Sequence, residues 1–138
     1  WQKTNPPPNL ACRTFTHSTE TILWAKKNLP TARHYFNYEL MKELNGNRQM
    51  KDVWQGSLTK PGEKSHGKHP TQKPEYLLER IILACTRPGD LILDPYLGSG
   101  TTGKVAKELG RKFIGIELNT DYLHITQKRI AEAPQRLF

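Results

Sequence analysis

The chain predicts an α/β fold, part of a doubly wound parallel sheet, and three features of residues 91–117 carry that expectation. An apolar run, Leu91-Ile92-Leu93, leads directly into the glycine turn Asp94-Pro95-Tyr96-Leu97-Gly98-Ser99-Gly100-Thr101-Thr102. Val105, Ala106 and Leu109 then recur at helical spacing, with Gly110 placed to close the helix. A second apolar run, Phe113-Ile114-Gly115-Ile116, ends on an acid, Glu117. Strand, glycine turn, helix and strand with a terminal acid is the order of a βαβ unit that binds a nucleotide-type cofactor. The turn offers bare backbone N–H groups and a helix N-terminus to a ligand lying across the strand end. The acid, at the usual spacing of about 20 residues, meets ribose hydroxyls. The plainer alternatives are a solvated strand-end carboxylate for Glu117 and a turn cap for Asp94.

The remaining elements follow from periodicity and breakers. Thr21-Ile22-Leu23-Trp24-Ala25 has the β-branched and aromatic content of a strand, ended by Lys26-Lys27-Asn28-Leu29-Pro30. Residues 31–68 are polar and irregular apart from a short helix at Tyr38–Leu44, which Gly46 stops. Pro74 suits a first helical turn, and Leu77, Leu78, Ile81, Ile82 and Cys85 follow at helical spacing. Arg87-Pro88-Gly89-Asp90 turns the chain into the cofactor strand. Asp121 to Ala131, carrying Tyr122, Ile125 and Ile130, predicts a final helix with Lys128-Arg129 near its end, where cations suit the dipole. No internal repeat or low-complexity segment interrupts this order.

Gly98-x-x-x-x-Gly103-Lys104 also matches most of a phosphate-cradling P-loop. That motif needs Ser or Thr after the lysine to hold magnesium, and Val105 stands there. Magnesium-dependent hydrolysis of a nucleoside triphosphate is therefore not expected.

Asp94 to Thr102, preceded by His69-Pro70-Thr71-Gln72-Lys73-Pro74, resembles the S-adenosylmethionine-dependent DNA amino-methyltransferases of restriction–modification systems. Trp1-Gln2-Lys3-Thr4-Asn5-Pro6-Pro7-Pro8-Asn9 and Phe15 to Ala25 are similar to the middle of such enzymes, so the likeness covers nearly all of the chain. Members are circular permutations of one another, and the cofactor half comes last here, as in the beta-type order. The resemblance implies a partial, Rossmann-like methyltransferase sheet with an irregular target-recognition insert. Residues 1–30 are then part of the catalytic half, 31–68 the insert and 69–138 the cofactor-binding half. It further implies S-adenosylmethionine as cofactor, held by Asp94, Pro95, Leu97, Gly98, Ser99, Gly100, Thr101, Thr102, Glu117 and Leu118. Thr71 and Lys73 belong near the methionine end, where a helix N-terminus favours the carboxylate.

The implied reaction moves a methyl group to the exocyclic amine of adenine at N6 in duplex DNA. Cytosine at N4, or a non-catalytic DNA-binding remnant of the fold, are the alternatives. The target base must leave the stack, at a cost of a few kcal/mol. The family receives it with an acidic, Asn or Ser residue followed by Pro-Pro and an aromatic. Asn5-Pro6-Pro7-Pro8 is the one candidate, and its last proline has no face on which a base can stack. It matches instead a later proline-rich loop of the family. The catalytic tetrapeptide is expected upstream of Trp1, so the chain reads as the back portion of an enzyme whose front half is the same or a separate polypeptide.

Composition agrees with a polyanionic partner. The 138 residues carry a formal net charge of +8, and 36% are hydrophobic, a low share for a self-contained unit. Residues 1–74 hold 12 Lys/Arg against 5 Asp/Glu, whereas residues 75–138 hold 9 against 8. The surplus of +7 in the first segment lies where the family faces double-stranded DNA. The candidate DNA contacts are Arg33, Asn45, Asn47, Arg48, Gln49 and Lys51: lysines on loops neutralise phosphates, while Arg48, Gln49, Asn45 or Asn47 suit bidentate contacts to base edges. A second copy of the chain is a further candidate partner. His66 and His69 lack the companions a zinc site needs, so no metal is expected. Cys12 and Cys85 fit no disulfide or catalytic pattern, and no run of 18 apolar residues or signal peptide occurs, which predicts free thiols and a cytoplasmic protein without a membrane partner.

Overall fold

The computed structural model describes residues 1–27, 30 and 33–135. Strand β1 (Gln2–Lys3) pairs in parallel with β2 (Gln55–Gly56), and an antiparallel bridge joins Gln2 to Thr19. Between them lies helix α1 (Tyr38–Leu44), and after β2 a 3₁₀ turn spans Pro61–Lys64. Helix α2 (Glu75–Cys85), strand β3 (Leu91–Asp94), helix α3 (Thr101–Glu108), strand β4 (Lys112–Gly115) and helix α4 (Thr120–Glu132) complete the order. β3 and β4 run parallel, with Leu91 opposite Lys112 and Asp94 opposite Gly115, as a βαβ unit requires.

Local chemistry explains the element ends. The Asn37 side chain accepts from the Leu40 N–H at the start of α1, and Asn119 accepts from Asp121 and Tyr122 at the start of α4. Pro74 sits just outside α2, where its missing N–H costs nothing. β4 begins one residue earlier than the apolar run suggests. Its Lys112 N–H donates to the Asp90 carbonyl at 2.9 Å, so pairing outruns hydrophobicity.

The core joins three helices to one face of the β3–β4 pair. Met41 of α1 packs with Ile82, Leu83 and Ala84 of α2 and with Val105, Ala106 and Leu109 at α3. Ile92 and Phe113 pack on this cluster from the strands. Burying Val105, which is 1% exposed, contributes about 2 kcal/mol. Side chains alternate along a strand, so Leu91, Leu93, Ile114 and Ile116 lie on the other face of the pair, and there they are exposed.

One expectation is corrected. Thr21–Ala25 forms no strand: the Glu20 N–H donates to the Trp1 carbonyl at 2.8 Å, but no ladder continues beyond it among the described residues. β-branched and aromatic content favours an extended backbone, yet a strand also needs a hydrogen-bonded neighbour. Arg129 stands in the last turn of α4, as expected, and is in addition buried, 4% exposed. The breaker at Asn28 and Leu29, and the start of the insert at residues 31 and 32, lie outside the described residues.

Candidate functional site: a cleft at the tips of two parallel strands

β3 and β4 end side by side, and pairing runs on into the loops that follow. The Ile116 N–H donates to the Asp94 carbonyl and the Leu97 N–H to the Ile116 carbonyl, both at 2.9 Å. The chain then bends sharply at Gly98, φ +56°, and again at Gly100, φ +79°, in the left-handed region that disfavours a side chain. Gly100 caps α3, so the helix N-terminus opens directly from the turn. A Cβ on Gly98 would stand 3.2 Å from the His69 Nε2, which shows how closely the preceding segment covers the turn.

Glu117 ties the two strand tips together. Its Oε2 accepts from the Gly98 N–H at 2.7 Å and its Oε1 from the Asn119 N–H at 2.8 Å. These backbone donors, Asn119 foremost, hold its carboxyl below the usual range. A carboxylate has about four acceptor positions, so capacity remains for a ligand hydroxyl. Asp94 Oδ1 accepts from the Tyr96 N–H at 3.0 Å, the turn-capping arrangement, and Asp94 also lines the cleft.

That cleft holds about 320 Å³. Asp94, Leu97, Gly98, Ser99, Thr101 and Thr102 form one wall. Thr71 and Lys73, with His69 and Gln72, form the other. Lys73 points its ammonium at Glu20, 3.2 Å away, and at the Thr71 carbonyl. Gly100 is buried beneath the turn, Pro95 is exposed at its tip, and Leu118 is 95% exposed beyond Glu117. Those three, with Glu117, lie outside the cleft lining.

A hub behind the turn was not legible as a site in the sequence. Glu75 of α2 meets Lys104 at 2.5 Å and Arg129 at 2.8 Å, and Lys104 also meets Glu108 at 3.2 Å. Lys104 is therefore committed to carboxylates behind α3 rather than to a phosphate, which removes the P-loop reading. For Arg129 the sequence signalled only a cation near the end of the last helix. His66 lies 2.7 Å from Glu132, while the His69 ring packs 4.2 Å from the Tyr122 ring.

The candidate DNA contacts divide. Arg33, Arg48, Gln49 and Lys51 are exposed. Asn45 spends its amide on the carbonyls of Arg48, at 2.9 Å, and Gln49, at 3.1 Å, while Asn47 turns the backbone at φ +62°. These two shape the loop that presents Arg48. Asn5 of the proline stretch accepts from the Leu58 N–H at 2.8 Å, as a loop anchor would. A larger groove of about 770 Å³, walled by Trp1, Trp24, Phe36, Met50 and Trp54, has the volume of a ligand site. It lacks the strand-tip amides and helix N-terminus that a cofactor with phosphate-like or carboxylate charge requires, so the smaller cleft is the candidate site. No helix among the described residues is long and apolar enough to cross a membrane.

Comparison with known proteins agrees with this geometry. The type II methyltransferase M2.DpnII of Streptococcus pneumoniae is 73% identical over 130 residues, which is 94% of this chain and 48% of that protein. The chain thus spans about half the length of such relatives. Among solved structures, the M1.HpyAVI–SAM complex aligns with a TM-score of 0.71 at 36% identity, over 94% of this chain and 59% of that one. The PvuII cytosine-N4-specific DNA methyltransferase aligns at 0.59 and 28%, over 69% of this chain and 35% of that one. The DNA methylase profile of the N6/N4 type matches residues 1–128, and the chain belongs to that family.

Proposed function

We propose that these residues form the cofactor-binding and DNA-recognition portion of a site-specific DNA methyltransferase that moves a methyl group from S-adenosylmethionine to the N6 amine of adenine. The observation that carries this reading is the glycine turn at the β3 tip, hydrogen-bonded to the acid at the β4 tip. A solved relative with a similar structure carries the same cofactor in its name, M1.HpyAVI–SAM. Glu117 would take a ribose hydroxyl with its remaining lone pairs. The turn and Asp94 would hold the sugar and methionine, and the Thr71 end of the cleft the amino-acid carboxylate. Bound there, the sulfonium supplies an already activated methyl donor, so these residues need only hold it in line with the amine.

Within this proposal, residues 69–138 serve the cofactor and 31–68 read DNA. Arg33, Arg48, Gln49 and Lys51, all exposed, would meet the duplex. The acidic-Pro-Pro-aromatic segment that receives the flipped base lies outside these 138 residues, in the same polypeptide or a partner. Transfer to cytosine N4 is the second reading, favoured by the likeness to the PvuII enzyme. Full-length protein incubated with labelled S-adenosylmethionine and duplex DNA should label the DNA, and nucleoside analysis then separates N6-methyladenine from N4-methylcytosine. Cofactor uptake without label in DNA supports a non-catalytic remnant, and absence of uptake refutes the proposal.

A further inference from the structure

Resting on the cofactor reading above, we propose that α4 sets the glycine turn for ligand binding, with Thr126 and Arg129 as positioning residues. The two lie three positions apart, on one helix face, and are 2% and 4% exposed. The Thr126 Oγ1 donates to the Gly98 carbonyl at 2.8 Å. The Arg129 Nη1 donates to the Ser99 carbonyl at 2.7 Å, and to the hydroxyls of Ser99 and Thr101 at 3.2 Å. Two successive carbonyls of the turn are thus drawn onto α4.

The consequence follows from peptide geometry. In a trans peptide the N–H points opposite to the carbonyl, and the described residues contain no cis bond. Fixing the Gly98 carbonyl on α4 therefore aims the Ser99 N–H away from α4, whose residues do not line the cleft, while Ser99 itself does. The Gly100 N–H is already occupied by the Leu97 carbonyl at 2.9 Å. Release of the Gly98 carbonyl would let that peptide rotate, and the donor to a ligand would be lost.

Arg129 also ties the turn to the start of α2. Its Nη2 pairs with Glu75 at 2.8 Å, and Glu75 opens α2 directly after the segment from Thr71 to Pro74. A buried ion pair is weak as a source of stability and is often replaceable by apolar residues. Here its geometry spends one guanidinium on three atoms of the turn and one of the helix that follows the opposite wall, which is a positional task.

The test uses full-length protein and four measurements: calorimetric Kd for S-adenosylmethionine, melting temperature, and KM and kcat with duplex DNA. Thr126→Val keeps the shape and removes the donor, and should raise the cofactor Kd and KM about fivefold, the scale of one hydrogen bond, with kcat unchanged. Thr126→Ser restores the hydroxyl and should return both toward the original values. Arg129→Lys keeps the charge facing Glu75 but cannot fork to the turn. It should raise Kd about tenfold, the scale of a charged hydrogen bond, with little loss of melting temperature. Unchanged Kd in folded Thr126→Val and Arg129→Lys overturns the inference, as does failure of Thr126→Ser to restore it. An unmodified protein that takes up no cofactor overturns the functional reading itself, and this inference with it.

Discussion

Replacing Gly100 by Ala should destabilise the protein more than the same change at Gly46, and the structure separates the two contributions. Both glycines adopt left-handed φ, +79° and +65°. An alanine there costs roughly 1–2 kcal/mol of backbone strain, partly offset by about 0.4–1 kcal/mol from a less flexible unfolded chain. At Gly46 nothing lies within 4 Å of a new Cβ, so strain alone operates and the net loss is about 0.5–1 kcal/mol. At Gly100 the Cβ would fall 2.7 Å from the Thr126 Cγ2 and 2.8 Å from its Oγ1. Thr126 is buried and tied to Gly98, so it has no free space to yield into. Overpacking of this kind adds about 1–3 kcal/mol, for a total near 1.5–4 kcal/mol. Urea unfolding of the full-length protein and both variants measures this directly, since midpoints move while the slope stays constant. Equal losses at the two sites, within about 0.5 kcal/mol, would refute the close approach of α4 to the turn.

Other measurements check other parts of the site. Because backbone donors hold Glu117 below the usual carboxylate value of 4.5, its stabilising effect is complete above that pH and is lost as pH falls through the lower folded value. Glu117→Gln should therefore flatten the acid limb of stability measured by urea midpoints, and parallel limbs would contradict the two amide contacts. Burial pushes the Cys85 thiol up, whereas Cys12 is exposed, so iodoacetamide at pH 8 should label Cys12 well before Cys85 in peptide mass maps. Comparable labelling would mean α2 opens readily. Arg48→Ala should weaken binding to a cognate duplex by about 1–3 kcal/mol and to random DNA by less, whereas equal losses assign Arg48 to phosphate.

Legibility differed from residue to residue. α2, α3 and α4 were readable because each buries a stripe at a period near 3.6, and α1 because Gly46 stops it. β3 and β4 were readable because apolar runs abut a glycine turn and an acid, a combination that few other structures need. Thr21–Ala25 carried an equally good strand pattern and failed, since no hydrogen-bonded neighbour continues beyond Glu20 among the described residues. Lys104 was set aside as a phosphate ligand because Val105 follows it, and its contacts with Glu75 and Glu108 agree.

By itself the sequence determined the βαβ order, the glycine turn, the placement of Glu117 and the basic surplus of residues 1–74, because each depends on spacing or composition within a short span. The tertiary structure alone decided that Glu75, Lys104 and Arg129 meet behind the turn, across separations of 29 and 54 residues. It alone also decided that Thr126 and Arg129 hold the carbonyls of Gly98 and Ser99. A side chain's chemistry is written in its residue type, but its partner is chosen only when the helices pack and burial forces each charge and each donor to find one.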